Sequence, residues 1–419
     1  MLLRLFVSLL IICSSALAVA REYQVVPNGE ALSSILKNAE AGDIIRLAPG
    51  SYQGPISIDV SLTLQGEAGA QIIGNEQGSV VYVNAKDVVV RGLIVKGSGS
   101  NGKDRDAGIV TGKNADRALV EYNTLIGNLV GIDVHGTKDA LIQRNTIEGR
   151  LDHRMNDRGN GIYVWNAAGT KVIGNDIQFG RDGIFVNTSK KNEFVGNRMR
   201  DLRFAVHYMH ANQSEVRENI SLGNHLGYAI MYSDNVVIDG NLSKGDRDHG
   251  IMLNYTNKSS IRNNVVEQGG EKCTFIYNAH KNKFRSNIFA GCEIGIHFTA
   301  GSERNSFSEN AFISNRTQVK YVGSKWVDWS VEGKGNYWSD HAAFDLDGNG
   351  VADAAYRPND VMDHVLWTQP AAKTLMGSPA VQLIKWSQSA FPALLPGGVV
   401  DSAPMMNFAQ PQTKPWEDL

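Results

Sequence analysis

The sequence predicts an all-β chain wound as a right-handed parallel β-helix, a solenoid with coils of 22 or 23 residues. Three observations predict it. Asparagine recurs ahead of short apolar segments at Asn123, Asn145, Asn175, Asn197, Asn219, Asn241, Asn264, Asn287 and Asn310, spaced 22, 30, 22, 22, 22, 23, 23 and 23 residues apart. A second marker, Gly-Ile or a close variant, precedes most of these Asn positions: Gly131-Ile132, Gly161-Ile162, Gly183-Ile184, Ala205-Val206, Ala229-Ile230, Gly250-Ile251 and Gly295-Ile296. After each marker apolar residues alternate with period two, as half-buried strands require. A fixed period in this range means coils that each pack only on their neighbours.

Composition agrees. The 419 residues include 43 Gly and 35 Asn, poor helix formers that tolerate the left-handed corners of a tight coil. Stacked Asn side chains can also form hydrogen-bonded ladders. A hydrophobic content of 42% is enough for a core and excludes a disordered chain, and no helix-length segment separates the strands. With 41 Lys+Arg against 43 Asp+Glu and no basic run, nucleic acid is not an expected partner. Gly66 and Gly92 hold the Asn slot in weaker upstream copies.

Residues 1–20 read as a secretory signal peptide: Arg4, an apolar run from Leu5 to Leu17, and the small-x-small Ala18-Val19-Ala20. Residues 21–60 are assigned to an N-terminal cap and first strands, with Leu32, Ile35, Leu36 and Ala39 on one face of a plugging helix. Residues 61–335 form the β-helix. Residues 336–419 carry Trp338, Trp367, Trp386 and Trp416 and form a capping or docking extension. There Ser378-Pro379 reads as a helix start, with Ala380, Ile384 and Trp386 as its apolar contacts. Cys273 and Cys292, 19 residues apart, lie close to one period from each other, so a disulfide between adjacent coils is one reading and two free thiols the other.

Positions two and four after each marker face outward. Read coil by coil, they place His207, Met231 and Met252 in one ladder, with Met209 beside it and His210 following. Thioether and imidazole together suit a soft ion, above all Cu(I); the plainer reading is adaptable apolar packing. Two inserted loops, 98–106 and 150–158, rise over the same edge, and the second adds His153 and Met155. Asp345, Asp347, Asn349 and Asp353, with Gly350, resemble a calcium loop, although Tyr356 stands where a bidentate Glu is expected; an Asx-rich turn is the alternative. No phosphate-binding loop or nucleophile elbow is present in the sequence.

The tail carries the most specific resemblance. Gly335-Asn336-Tyr337-Trp338-Ser339-Asp340 leads into the Asp345 loop. Then follow Tyr356-Arg357-Pro358-Asn359-Asp360, Leu366-Trp367, Ser378-Pro379-Ala380, and the run from Phe391-Pro392-Ala393 to Ser402-Ala403-Pro404. In these motifs the chain resembles the NosD family of exported maturation factors of nitrous oxide reductase. The resemblance implies a periplasmic, non-enzymatic protein working with the permease and ATPase of a membrane ABC transporter and with a copper-carrying lipoprotein. Copper would be transient cargo used to build the copper–sulfur centre of nitrous oxide reductase. Two other classes compete. A carbohydrate-active β-helix of the alginate epimerase or lyase type would use Tyr163, Trp165 and Phe185 as a platform, with Asp133, His135 and Asp152-His153 as acid–base groups. A purely structural docking module would bind a partner through the Met ladder.

Overall fold

In the computed structural model the described residues are 20–152, 154–299, 301–323, 325–375, 377–390 and 397–410. Residues 1–19, with nearly all of the expected signal peptide, lie outside them, as do His153 and Trp416. Three parallel sheets run the length of the coil stack. One of 13 strands starts at Glu22–Val25, one of 12 at Ile56–Ile58, and one of 13 at Gly50–Gln53. Every neighbouring pair in them is parallel and joins one coil to the next, as in Phe204–Met209 against Leu226–Met231. The stacking begins earlier than the sequence pattern indicates, since Glu22–Val25 already pairs with Ile44–Leu47.

The interior is filled by the inward half of each alternation. Ile132 and Val134, Ile162 and Val164, Ile184 and Val186, and Val206 and Tyr208 are all fully buried, coil upon coil. The marker glycine has a steric cause: a Cβ on Gly131 would stand 2.4 Å from the carbonyl oxygen of Gly161 in the next coil. At one corner the repeating Asn forms the expected ladder. Both the backbone N–H and the Nδ2 of Asn219 donate to Asn241 Oδ1 at 3.0 Å, and Asn219 Oδ1 accepts the same pair from Asn197 at 2.9 Å. In the weaker upstream coil it is the Leu93 N–H that donates to Asn123 Oδ1, so Leu93, not Gly92, holds the slot.

Both ends are closed. Helix α1 (Leu32–Asn38) buries Leu32 and Leu36, followed by Ala39, with Ile35 packed against the same core. At the other end Trp329 and Trp338 stack on Phe307 and Phe312, with ring centroids 4.0 and 4.2 Å apart. The Asn ladder ends on the buried Asp401, whose Oδ2 accepts from the Asn336 N–H at 2.7 Å and Trp338 Nε1 at 2.8 Å. Helix α2 (Val361–Thr368) starts with a capping box between Asp360 and Asp363. Helix α3 (Pro379–Ala390) buries Val381, but the residues expected to be its contacts face out: Ala380 is exposed, Ile384 is 40% exposed and Trp386 63%, and Leu383 joins them at 63%. Among the described side chains of α3 only Val381 is buried, and the helix packs against α2.

Candidate metal-binding face

The outward residues of the 12-stranded sheet form two columns. The first runs Asp133, Tyr163, Phe185, His207, Ala229, Met252, Phe275, His297. The second runs His135, Trp165, Asn187, Met209, Met231, Asn254, Tyr277. This register corrects the expected ladder of His207, Met231 and Met252. Ala229, not Met231, stands between His207 and Met252, while Met231 pairs directly with Met209. The cause is Tyr228. It fills the buried slot of Val206 and Ile251, so the marker in that coil is Gly227-Tyr228 and not Ala229-Ile230.

His207 and Met209 lie two residues apart on one strand and so share its outer face, with Met231 alongside on the next coil. His207 is 8% exposed and its Nδ1 lies 3.1 Å from Asp182 Oδ2. Asp182, fully buried, receives two further bonds from Arg203, Nε at 2.8 Å and Nη2 at 2.7 Å. Burial alone would raise the Asp182 carboxyl; the hydrogen bonds from His207 and Arg203 outweigh it and hold the group below the usual carboxylate range. The other imidazole nitrogen, Nε2, is buried and has no hydrogen-bond partner. A buried unsatisfied donor or acceptor calls for an explanation, and an imidazole lone pair beside two thioethers matches the donor set of a soft ion. Sequence pattern missed Asp182 because it precedes the marker glycine, outside the alternation.

His210 takes a left-handed backbone conformation at the following corner, with φ of 53°, and stacks on Tyr232 at 5.2 Å. It stands apart from the two columns. Met155 sits half-buried in the 3-10 turn Met155–Asp157 of the second inserted loop. The two loops do meet over one edge: Arg150 donates to the carbonyl oxygens of Ser98 and Gly99 at 3.0 and 2.9 Å, and to Ser100 Oγ at 2.6 Å. Between them lies a cavity of about 590 Å³ lined by Glu76, Glu148, Ile126 and Leu151 among others. His249, which the sequence pattern did not single out, lies on the same sheet as Met252, with its Nδ1 buried and unpartnered.

Upstream, Asp133 is 3% exposed and burial pushes its carboxyl up to about 6, against the opposing pull of Arg105. Arg105, from the first loop, lies 3.3 Å from Asp133 Oδ2 and 3.2 Å from His135 Nδ1, and the His135 ring stacks on Trp165 at 4.3 Å. Tyr163 and Phe185 contact each other at 5.3 Å.

The Asp345 loop closes on itself. Asp345 accepts from the N–H groups of Gly348 at 2.7 Å and Gly350 at 2.8 Å, Asp353 accepts from Leu346 at 2.8 Å, and Asn349 Nδ2 donates to Asp347 at 2.9 Å. This is the Asx-turn arrangement. Among the described residues no three His, Cys, Asp or Glu side chains come together as a metal-holding group. Cys273 and Cys292 are joined as a disulfide, with Cα atoms 5.6 Å apart.

Comparison with known proteins adds the family. The profile described as "Periplasmic copper-binding protein (NosD)" matches residues 144–343. The chain is 38% identical over 377 residues to the "Probable ABC transporter binding protein NosD" of Stutzerimonas stutzeri, covering 87% of this chain and 86% of that protein. To the protein of the same description from Pseudomonas aeruginosa it is 37% identical over 382 residues, covering 88% and 89%. Among solved structures, a hyperthermoactive exopolygalacturonase from Thermotoga maritima superposes with a TM-score of 0.53 at 12% identity, over 63% of this chain and 83% of that one, which is a likeness of fold alone. Identity at this level across nearly nine-tenths of two relatives, together with the profile match, leaves one conclusion: the chain belongs to the NosD family.

Proposed function

We propose that this protein is a periplasmic copper-handling partner of an ABC transporter. It receives Cu(I) from a copper-carrying lipoprotein and passes it on for assembly of the copper–sulfur centre of nitrous oxide reductase. It performs no covalent chemistry, and ATP is hydrolysed in another subunit. The observation that carries the reading is the Met209–Met231 register pair beside His207, whose Nε2 is buried without a partner. These donors are neutral and soft, which suits a monovalent cargo held briefly. The apolar face of α3 is the surface assigned to the membrane partner.

Titration of the purified protein with Cu(I) against a chromophoric chelator tests the site. A Met209→Leu/Met231→Leu double variant is expected to bind at least tenfold more weakly, and unchanged affinity sinks the site. In cells, deletion is expected to leave nitrous oxide reductase exported but without its copper–sulfur centre; a normal centre in the deletion strain refutes the role. A second reading, saccharide binding over the upstream part of the face, is favoured by Asp133, whose Oδ1 is buried without a hydrogen bond, 3.9 Å from His135 Nδ1 and close to Arg105. Binding or turnover of uronate oligomers by the purified protein would support it.

A further inference from the structure

His207 is held from behind. Its Nδ1 lies 3.1 Å from Asp182 Oδ2, and both oxygens of that fully buried carboxylate are also engaged by Arg203 at 2.8 and 2.7 Å. An ionised carboxylate only accepts hydrogen bonds, and a guanidinium only donates them. The imidazole proton facing Asp182 must therefore sit on Nδ1, and a ring that carries one proton then has its lone pair on Nε2, the atom with no hydrogen-bond partner. The rings of Phe185 and Phe204, 4.6 and 5.0 Å away, wall the imidazole in and resist its rotation. Arg203 also offsets the Asp182 charge, so an arriving ion meets only neutral donors and is selected by softness.

We infer that Asp182, itself oriented by Arg203, is the positioning residue for copper on this face: it fixes the His207 tautomer so that Nε2 is the ligating nitrogen. The inference rests on the copper reading given above. In other metal sites a carboxylate behind a ligating histidine sets tautomer and orientation in this way, and its loss lowers metal affinity about 10–100-fold.

The decisive substitution is Asp182→Asn. Arg203 can bond only to the amide oxygen, so the amide NH2 turns to His207, whose Nδ1 must then accept. The ring proton moves to Nε2 and blocks the ligand. Nitrogen-15 NMR of histidine-labelled protein, without metal, is expected to show the Nδ1–H tautomer at His207 in the natural chain and Nε2–H in D182N. Chelator competition is expected to show Cu(I) affinity falling about 10–100-fold in D182N. Finding Nε2–H in the natural chain overturns the inference even if the variant fails to fold. If His207→Leu weakens Cu(I) binding but a folded D182N does not, the positioning role is refuted while the copper reading stands. If His207→Leu leaves Cu(I) binding unchanged, the copper site at His207 falls and the inference falls with it.

Discussion

Asp246 is an acid held in the interior of the coil stack. It is buried where the corner pattern would accept an Asn, taking hydrogen bonds from Ser221 Oγ at 2.7 Å, Ser243 Oγ at 2.6 Å and the Asn224 N–H at 2.8 Å. Burial outweighs these bonds and pushes its carboxyl up to about 6. The folded state therefore binds the proton more tightly than the unfolded chain. The stability this contributes is present below about pH 4 and lost as pH rises through about 6. Asp246→Asn keeps an acceptor for Asn224 and removes the charge. The variant is expected to be more stable at pH 7 to 8, by on the order of 2 kcal/mol, with the gain vanishing near pH 4. Urea melts at three pH values check it, and equal stability at pH 8 would contradict it. Asn219 makes the opposite case. Truncation to Ala strips the acceptor from Asn197 and the donor from the Phe194 carbonyl, at an expected cost of about 2–4 kcal/mol in denaturant unfolding.

At the level of strands and loops, most of the architecture was legible from spacing alone. The Asn interval set the coil, the Gly-Ile marker set the inward face, and the two long intervals located the loops that Arg150 ties together. The register of the candidate metal-binding face was not legible, for a definable reason. In Gly227-Tyr228-Ala229-Ile230 a small residue precedes an apolar one twice, two positions apart. A slip of two residues keeps every side chain on its own face, so alternation cannot detect it; only the pairing of Met209 with Met231 does. Asp182 escaped for another reason, since a buried acid just before the marker looks like any loop acid until the coil is closed. One covalent link also ties the strands together, the Cys273–Cys292 disulfide. It closes a loop of 19 residues between neighbouring coils. Replacing both cysteines by Ser is expected to lower stability by about 3 kcal/mol. Melts of the natural and variant proteins under oxidising and reducing conditions check it: reduction should shift only the natural protein.

For the molecule as a whole, the two ends differ in what they offer. The N-terminal end is sealed by α1, whereas the C-terminal end presents Leu375, Leu383, Ile384 and Trp386 to solvent, at 60, 63, 40 and 63% exposure. Replacing Leu383 and Ile384 together by Ser is expected to leave thermal stability and Cu(I) affinity near those of the natural protein, because exposed positions contribute little to folding. The same variant is expected to lose co-purification with transporter-containing membranes. Retention on those membranes would assign docking to another surface.

The coil stack is also a ruler. Strands in register advance by about 4.8 Å per coil, so the twelve steps of a 13-stranded sheet set a rod of about 58 Å, and its length is counted in whole coils. In the 12-stranded sheet five such steps separate the Phe204–Met209 strand from Thr317–Val322, the last strand of that sheet. With the tail end anchored, His207 and its methionine neighbours are held about 24 Å out from that end of the rod, a stand-off set by coil number. Inserting or deleting one whole coil between them would move the site by a single fixed increment while leaving its chemistry intact.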